Sequence, residues 1–395
     1  MSTVRKVWLL TLGAFTLGLD AYVMAGLLPV LAADIGTRVS LAGQLVTVFT
    51  LAYAISAPLV AGLLSGVRPR LLILAALAVF TVGNGLTALA PSLGALLAAR
   101  VVAGAGAGST RAVHRGRRRT GPGGEARPGA GAGHGRDERG HRAGRADRVL
   151  LAEHTGWRAT LWLVTALGAV ALGGLAALLP QVPAGPAVPV RARLTAIADR
   201  AVAPVVAVSF LAAVASLGLY TYLAPVLAAA GGVHEVAPYL WAWGAGGVLG
   251  SVLAGPLVDR TGRVRLLAGV ILLVVTAAQA LLPTLAAVAL PGAVVALVAW
   301  GAAGWAFQVP QQHRLLQASA QRGTVALALN NSALYLGSAV GSALGGLALA
   351  AGLTPAALPW AAAGVAALGL LVHLVAGRRS RPAPRVSTLG SYEHS

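Results

Sequence analysis

Asp20 is the one acidic residue inside a confidently apolar stretch long enough to cross a bilayer, in Leu17-Gly18-Leu19-Asp20-Ala21-Tyr22. A carboxylate is costly to keep charged in hydrocarbon, so an acid there is a candidate proton carrier. The structural alternative is a carboxyl hydrogen-bonded to a neighbouring helix. Arg100 is its basic counterpart, opening the run Arg100-Val101-Val102-Ala103-Gly104-Ala105-Gly106-Ala107-Gly108. Placed near Asp20, it would bias that carboxyl between its two protonation states. Placed near a helix end, it would merely snorkel. A third constellation is Gly255-Pro256-Leu257-Val258-Asp259-Arg260-Thr261-Gly262-Arg263-Val264-Arg265, of the form G-x-x-x-D-R-x-G-R-x-R. Gly255 and Gly262 permit close helix approach. Asp259 can pair with Arg260, Arg263 or Arg265 across a helix end, which suits a gate; the plain alternative is a basic turn.

Other polar residues fall within apolar stretches: Tyr53, Asn84, Tyr220, Tyr222, Gln308, Gln311, Asn330, Asn331 and Tyr335. They are candidates for lining a cavity, although isolated polar residues often bond between helices instead. The chain has no cysteine, which excludes thiolate metal sites and Cys nucleophiles. No acidic cluster suggests a metal site. The glycine run at 104–108 lies in a helical stretch rather than after a strand, so it is not a phosphate loop. No cofactor and no enzymatic reaction are expected.

The elements that must hold these residues follow from composition. The 395 residues are 57% hydrophobic and 10% charged, with mean hydropathy +0.77. Soluble domains carry about 25% charged residues, so a soluble enzyme and a disordered chain are both excluded. Apolar stretches near the ~20 residues that span a bilayer occur at 7–31, 41–66, 70–90, 159–180, 202–230, 236–258, 264–285, 287–310, 324–350 and 355–377. A shorter one, 93–108, stops early. The first is too long for a cleaved signal peptide.

The net charge is +19. Outside 109–148, sixteen Lys and Arg fall in one alternating set of termini and loops, while the other set holds only Arg38 and Arg158. By the positive-inside rule both termini are cytoplasmic, and the basicity needs no nucleic acid. Residues 181–200, Pro-rich and then basic, read as a cytoplasmic linker. It divides a first bundle, 1–180, from a second, 201–378, with a tail at 379–395. The basic turns at Gly62–Arg70 and Gly255–Arg265 form a weak internal repeat, the mark of a secondary transporter built from two bundles.

Residues 109–148 break the pattern. They contain eleven Arg and ten Gly and no Leu, Ile, Phe, Trp, Tyr or Met. Nothing there can span a membrane or pack a core. A solvated basic loop and an anionic-ligand patch are two readings. The preferred third is a shifted reading frame. Moving the frame one base permits an apolar string with a basic turn in its middle, ending Gly-Thr-Val-Leu-Gly-Val-Pro-Thr-Gly and rejoining the encoded chain at Val149. That string would complete the fourth span and supply a fifth.

The motif at 255–265 resembles the loop motif of the major facilitator superfamily. Arg100 to Gly106 looks like that superfamily's fourth-helix R-x-x-x-G-x-G pattern. The sequence around Asp20 resembles the first helix of its bacterial drug/proton antiporters. Glu153-His154-Thr155-Gly156-Trp157-Arg158 before the sixth span fits the same family. The resemblance implies an all-α membrane protein of two six-helix bundles, with the fourth and fifth helices disrupted here. It further implies a monomer in the plasma membrane that exchanges protons for small hydrophobic compounds or drugs. A sugar or metabolite exporter is the alternative, as is an inactive or sensory protein if 109–148 is genuine. The exporters' fifth-helix motif, G-x-x-x-G-x-P-x-G, is absent from the encoded chain and present only in the shifted string.

Overall fold

The computed structural model describes Thr16, Asp20 and residues 24–63, 67–117, 156–178, 199–233, 235–318 and 323–378. Every regular element among them is helical. The first bundle contains α1 (Met24–Ile35), the short α2 (Val39–Ala42), α3 (Gln44–Leu63), α4 (Pro69–Leu89), α5 (Leu93–Arg117) and α6 (Trp157–Leu178). The second contains α7 (Ala203–Thr221), α8 (Leu223–Gly231), α9 (Ala237–Thr261), α10 (Val264–Val288), α11 (Leu290–Ala306), α12 (Gln308–Ala318), α13 (Gly323–Ala350) and α14 (Leu358–Arg378). Nine helical segments among the described residues are long and apolar enough to cross a membrane, α11 and α12 counting together as one.

Two expected spans are broken, and each break stands just before a proline. The stretch 202–230 divides at Tyr222, and α11 ends at Ala306, after which α12 carries the span on to Ala318 rather than stopping at 310. Pro225 and Pro310 each stand four residues beyond the last residue of the preceding helix. A proline ring collides with the carbonyl four residues back and offers it no N–H, which favours a break there, although Pro58, Pro256 and Pro283 sit inside α3, α9 and α10 without one. The stretch from 93 differs in the other direction. It was expected to end at 108, but α5 continues to Arg117, because residues 109–115 contain neither Gly nor Pro and include good helix formers.

Packing in the first bundle is set by small residues on α5. A Cβ on Gly104 or Gly108 would collide with the α3 backbone at Phe49 or Tyr53, and one on Gly106 with the α4 backbone at Ala76 and Phe80. The glycine run is thus a seam that brings α5 against two neighbours at once. The buried core of this bundle includes Leu28, Leu45, Phe49, Leu77, Phe80, Leu96 and Trp157. The second bundle has its own core around Tyr222, Leu227, Trp243, Leu272, Leu297 and Trp300.

The bundles meet chiefly along α3 and α13, with α2 also on α13. The ends of the helices nearest Arg68, Arg70, Arg200, Arg260, Arg263 and Arg265 form one basic face. The contact lies toward the opposite face. There the ring of Tyr222 lies against Gly345, with its hydroxyl beside Gly43 and Gly346, and Ser40 and Gln44 also crowd Gly346. At mid-depth the rings of Tyr53 and Tyr335 stack, centroids 3.5 Å apart and 14° from parallel. Nearer the basic face α3 is less covered, with Ile55 49% and Leu59 52% exposed.

Candidate functional site: a buried ion pair

Arg100 lies one helical turn before Gly104, so the seam that seats α5 on α3 also carries Arg100 into the core. Its Nη1 donates to Asp20 Oδ1 at 2.7 Å. Asp20 is 0% and Arg100 1% exposed, which excludes a snorkelling arginine. The guanidinium carbon stands 4.1 Å from the centre of the Phe49 ring, a cation–π contact on a residue of α3. Sequence reasoning brought Asp20 and Arg100 together but missed Phe49, whose position four residues before Tyr53 on the buried face of α3 was the available signal.

The pair is unevenly satisfied. Asp20 Oδ2 and Arg100 Nε are fully buried and have no hydrogen-bond partner among the described residues. Among the described residues, Asp20 therefore holds the guanidinium through one oxygen only. Neutralising the carboxyl would cancel the charge that keeps the pair together. Breaking a buried pair by removing one partner costs about 3–5 kcal/mol.

The remaining polar candidates divide. Tyr53 and Tyr335 come together across the two bundles, and on α13 Asn330 is buried while Asn331 is half-buried. Asn84 is buried on α4, with Nδ2 bonded to Phe80 O and Oδ1 unpaired among the described residues. Tyr220 packs on Trp243, centroids 4.3 Å apart, within a group that includes Trp300 and Trp305. Three residues of that aromatic group were not singled out from sequence. Tyr222 donates to Ser342 O at 2.8 Å, and Gln311 donates to Val205 O and Ser209 Oγ. Both of these serve helix-to-helix bonding. Gln308 is half-buried at the start of α12.

The motif at 255–265 forms the turn from α9 to α10. Gly262 adopts φ 60°, and its N–H closes on Val258 O at 2.9 Å, the left-handed cap that glycine favours. Asp259, Arg260 and Arg263 are exposed, and none of them makes an ion pair among the described residues. Arg265 crosses to α14 and donates to His373 O and Leu374 O at 3.2 and 3.3 Å. In the first half Arg70, at the corresponding turn, donates to Ala176 O near the end of α6 at 2.6 Å. The eroded sequence repeat thus preserves one function in both copies. Its final arginine caps the carbonyl end of its bundle's last helix, where a cation is favoured.

On the opposite face Asp34 accepts from Trp157 Nε1 at 2.9 Å and Arg158 Nη1 at 2.6 Å, tying the end of α1 to the start of α6. The Arg158 guanidinium also lies over the Trp157 ring. These two hydrogen bonds, with the Arg158 charge, hold the Asp34 carboxyl below the usual carboxylate range. A depressed carboxyl contributes stability above its unfolded-state pKa and loses it as pH falls through the folded value. Asp34→Asn is expected to lower thermal stability slightly at pH 7 and by less as the buffer is acidified toward pH 3. Equal losses at both pH values would show that the charge is not what holds α1 to α6.

Comparison with known proteins places this geometry. The sequence model of the Major Facilitator Superfamily matches residues 10–115 and 149–342. An inner membrane transport protein of Escherichia coli K12, YdhP, is 30% identical over 380 residues, 94% of this chain and 95% of that protein. A chloramphenicol resistance protein of Streptomyces lividans is 29% identical over 390 residues, covering 93% and 94%. Among solved structures, the human organic anion transporter MFSD10 superposes with TM-score 0.71 at 17% identity, covering 94% of this chain and 100% of that one. The nucleoside transporter NupG gives 0.73 at 10% identity, covering 94% and 99%.

Proposed function

The chain belongs to the Major Facilitator Superfamily, and from that premise we propose that it is a proton-coupled exporter of small, largely apolar compounds. Superfamily membership makes it a multi-pass membrane transporter of small molecules. The observation that carries the finer reading is the Asp20–Arg100 pair, fully buried and with one carboxylate oxygen unpaired among the described residues. Protonation of Asp20 from outside would release Arg100, and loss of that proton inside would restore the pair. Each cycle would bias the rocking of the two bundles about their contact. The resemblance to a chloramphenicol resistance protein supports efflux of drug-like compounds. The basic face is then cytoplasmic, with both termini inside the cell membrane, and the form described has its outer side closed. The chain is expected to work as a monomer.

The test is efflux of an apolar dye from proteoliposomes under an imposed pH gradient. Gradient-dependent movement supports the reading, and movement indifferent to the gradient overturns the coupling. Gating by the 255–265 turn is part of the same proposal. Asp259→Ala is expected to impair transport more than Arg68→Ala, since Asp259 alone offers those arginines a counter-charge. Equal effects would make both ordinary basic turns.

The second reading is an inactive or sensory member, and it depends on 109–148. The family match passes over 116–148 and resumes at 149, the position at which the shifted frame rejoins the encoded chain. This supports the frame reading over a genuine basic loop. Residues 118–155 lie outside the described structure. In the shifted reading, the restored gene encodes the exporter and this chain is its damaged form.

A further inference from the structure

Where α7, α10, α12 and α14 converge at the basic face, one hydrogen-bonded chain crosses all four helices. Gln311 of α12 donates to Val205 O and Ser209 Oγ of α7 at 3.0 and 2.9 Å. Its Oε1 accepts from Arg314 Nη1 at 2.9 Å. The same Nη1 lies 3.2 Å from His373 Nδ1 on α14. His373 Nε2 lies 3.1 Å from the backbone oxygen of Arg265 on α10. A carbonyl can only accept, so the imidazole carries its proton on Nε2 and offers the Nδ1 lone pair to Arg314. Arg265 then reaches back over α14 to His373 O and Leu374 O. It passes where only glycine leaves room, since a Cβ on Gly377 would coincide with its guanidinium.

The support is deeply set, with Gln311 0% and His373 2% exposed. The two guanidiniums it holds are half-buried. Neither has a carboxylate within ion-pairing distance among the described residues. Arg314 uses only Nη1 and Arg265 only Nη2 in bonds to the protein. Among the described residues, Nε and the other terminal nitrogen of each have no partner and can donate. Like charges fixed together and partly withdrawn from water repel. A fold that anchors both through a neutral histidine is arranged for a negative ligand between them. Planar guanidinium donors from two helices suit the several oxygens of a tetrahedral oxyanion.

We propose that Arg265 and Arg314, oriented by His373 and Gln311, bind a phosphate-type oxyanion. The cluster lies within about two turns of the helix ends, at the depth of the headgroup layer, so a lipid phosphate and a free anion are both within reach. The site is in the second bundle, away from Asp20 and Arg100, and stands whether or not transport is proton-coupled.

The experiment uses the full chain purified in detergent. Thermal unfolding is followed with added phosphatidylglycerol, phosphatidylcholine or inorganic phosphate. Phosphatidylglycerol is expected to raise the midpoint by several degrees beyond phosphatidylcholine, and Arg314→Gln and Arg265→Gln each to remove most of that gain. A gain from lipid alone identifies a headgroup site, and an equal gain from millimolar inorganic phosphate identifies a free anion. No gain in the unmodified chain, or a gain undiminished by both substitutions, overturns the proposal. Should Arg265→Gln unfold for want of its bonds to α14, Arg314→Gln decides the matter, because Arg314 bonds only to side chains. Arg314→Lys, which keeps the charge and loses the planar donors, is expected to retain part of the gain.

Discussion

In a frame-restored protein, Asp20→Asn is expected to bring pH-driven efflux to the level of empty vesicles while the protein still inserts in the membrane. The amide cannot carry a proton, and it leaves Arg100 charged and buried with no carboxylate. The second effect costs about 3–5 kcal/mol, enough to unfold a marginal protein and confuse the result. A double variant separates the two. Asp20→Asn with Arg100→Gln removes both charges, so it should recover most of the lost thermal stability and none of the transport. Asp20→Glu keeps the titrating group and should retain measurable efflux with an altered pH dependence. Full efflux by Asp20→Asn with unchanged pH dependence would remove Asp20 from the mechanism.

The largest contrast is expected between the chain as encoded and its frame-restored counterpart. Sequencing the gene from codon 100 to codon 160 should reveal a compensating insertion and deletion near codons 108 and 149. The restored protein should transport, and the chain with the Arg- and Gly-rich segment should give little or no efflux at equal membrane abundance. The expectation rests on chemistry rather than on family precedent alone. A stretch without one large aliphatic or aromatic side chain cannot stand in hydrocarbon, and eleven arginines at 109–148 would each be expensive there. An intact frame, together with robust transport by the encoded chain, would retire the idea.

Much of the fold could be read in advance because bilayer spans declare themselves by length and hydropathy. The helix breaks at Tyr222 and after Ala306 were only half readable: Pro225 and Pro310 stand four residues past the helix ends, but Pro58, Pro256 and Pro283 pass through α3, α9 and α10 without a break. The Asp20–Arg100 pair was foreseeable in kind, since two opposite charges in hydrocarbon must find each other. Its surroundings were not. Phe49 beneath the guanidinium, Gly104 and Gly108 against the α3 backbone, and Tyr222 between Gly43 and Gly345 depend on helix rotations that no single sequence states. Arg70 reaching Ala176 O spans 106 residues of chain, and only the parallel with Arg265 hinted at it. His373 was not singled out because a lone histidine near a helix end reads as an ordinary surface residue, and Arg314 counted only as one of the sixteen basic residues beyond the spans because the span was expected to stop at 310.

The contact between the bundles has a thermodynamic consequence. It is made of a tyrosine stack at mid-depth and close backbone approaches around Gly43 and Gly346. No ion pair crosses it among the described residues. An aromatic pair contributes about 0.5–1.5 kcal/mol beyond its buried area, and separating such surfaces uncovers no bare charge. On the rocking mechanism proposed above, a second arrangement of the bundles would then be close in free energy to this one. At a gap of about 1.4 kcal/mol the rarer one still makes up roughly a tenth of the molecules. A ligand whose affinities for the two forms differ by about 10⁴ could drive the population from one in a hundred to ninety-nine in a hundred, so far smaller preferences would suffice from a ratio of one in ten.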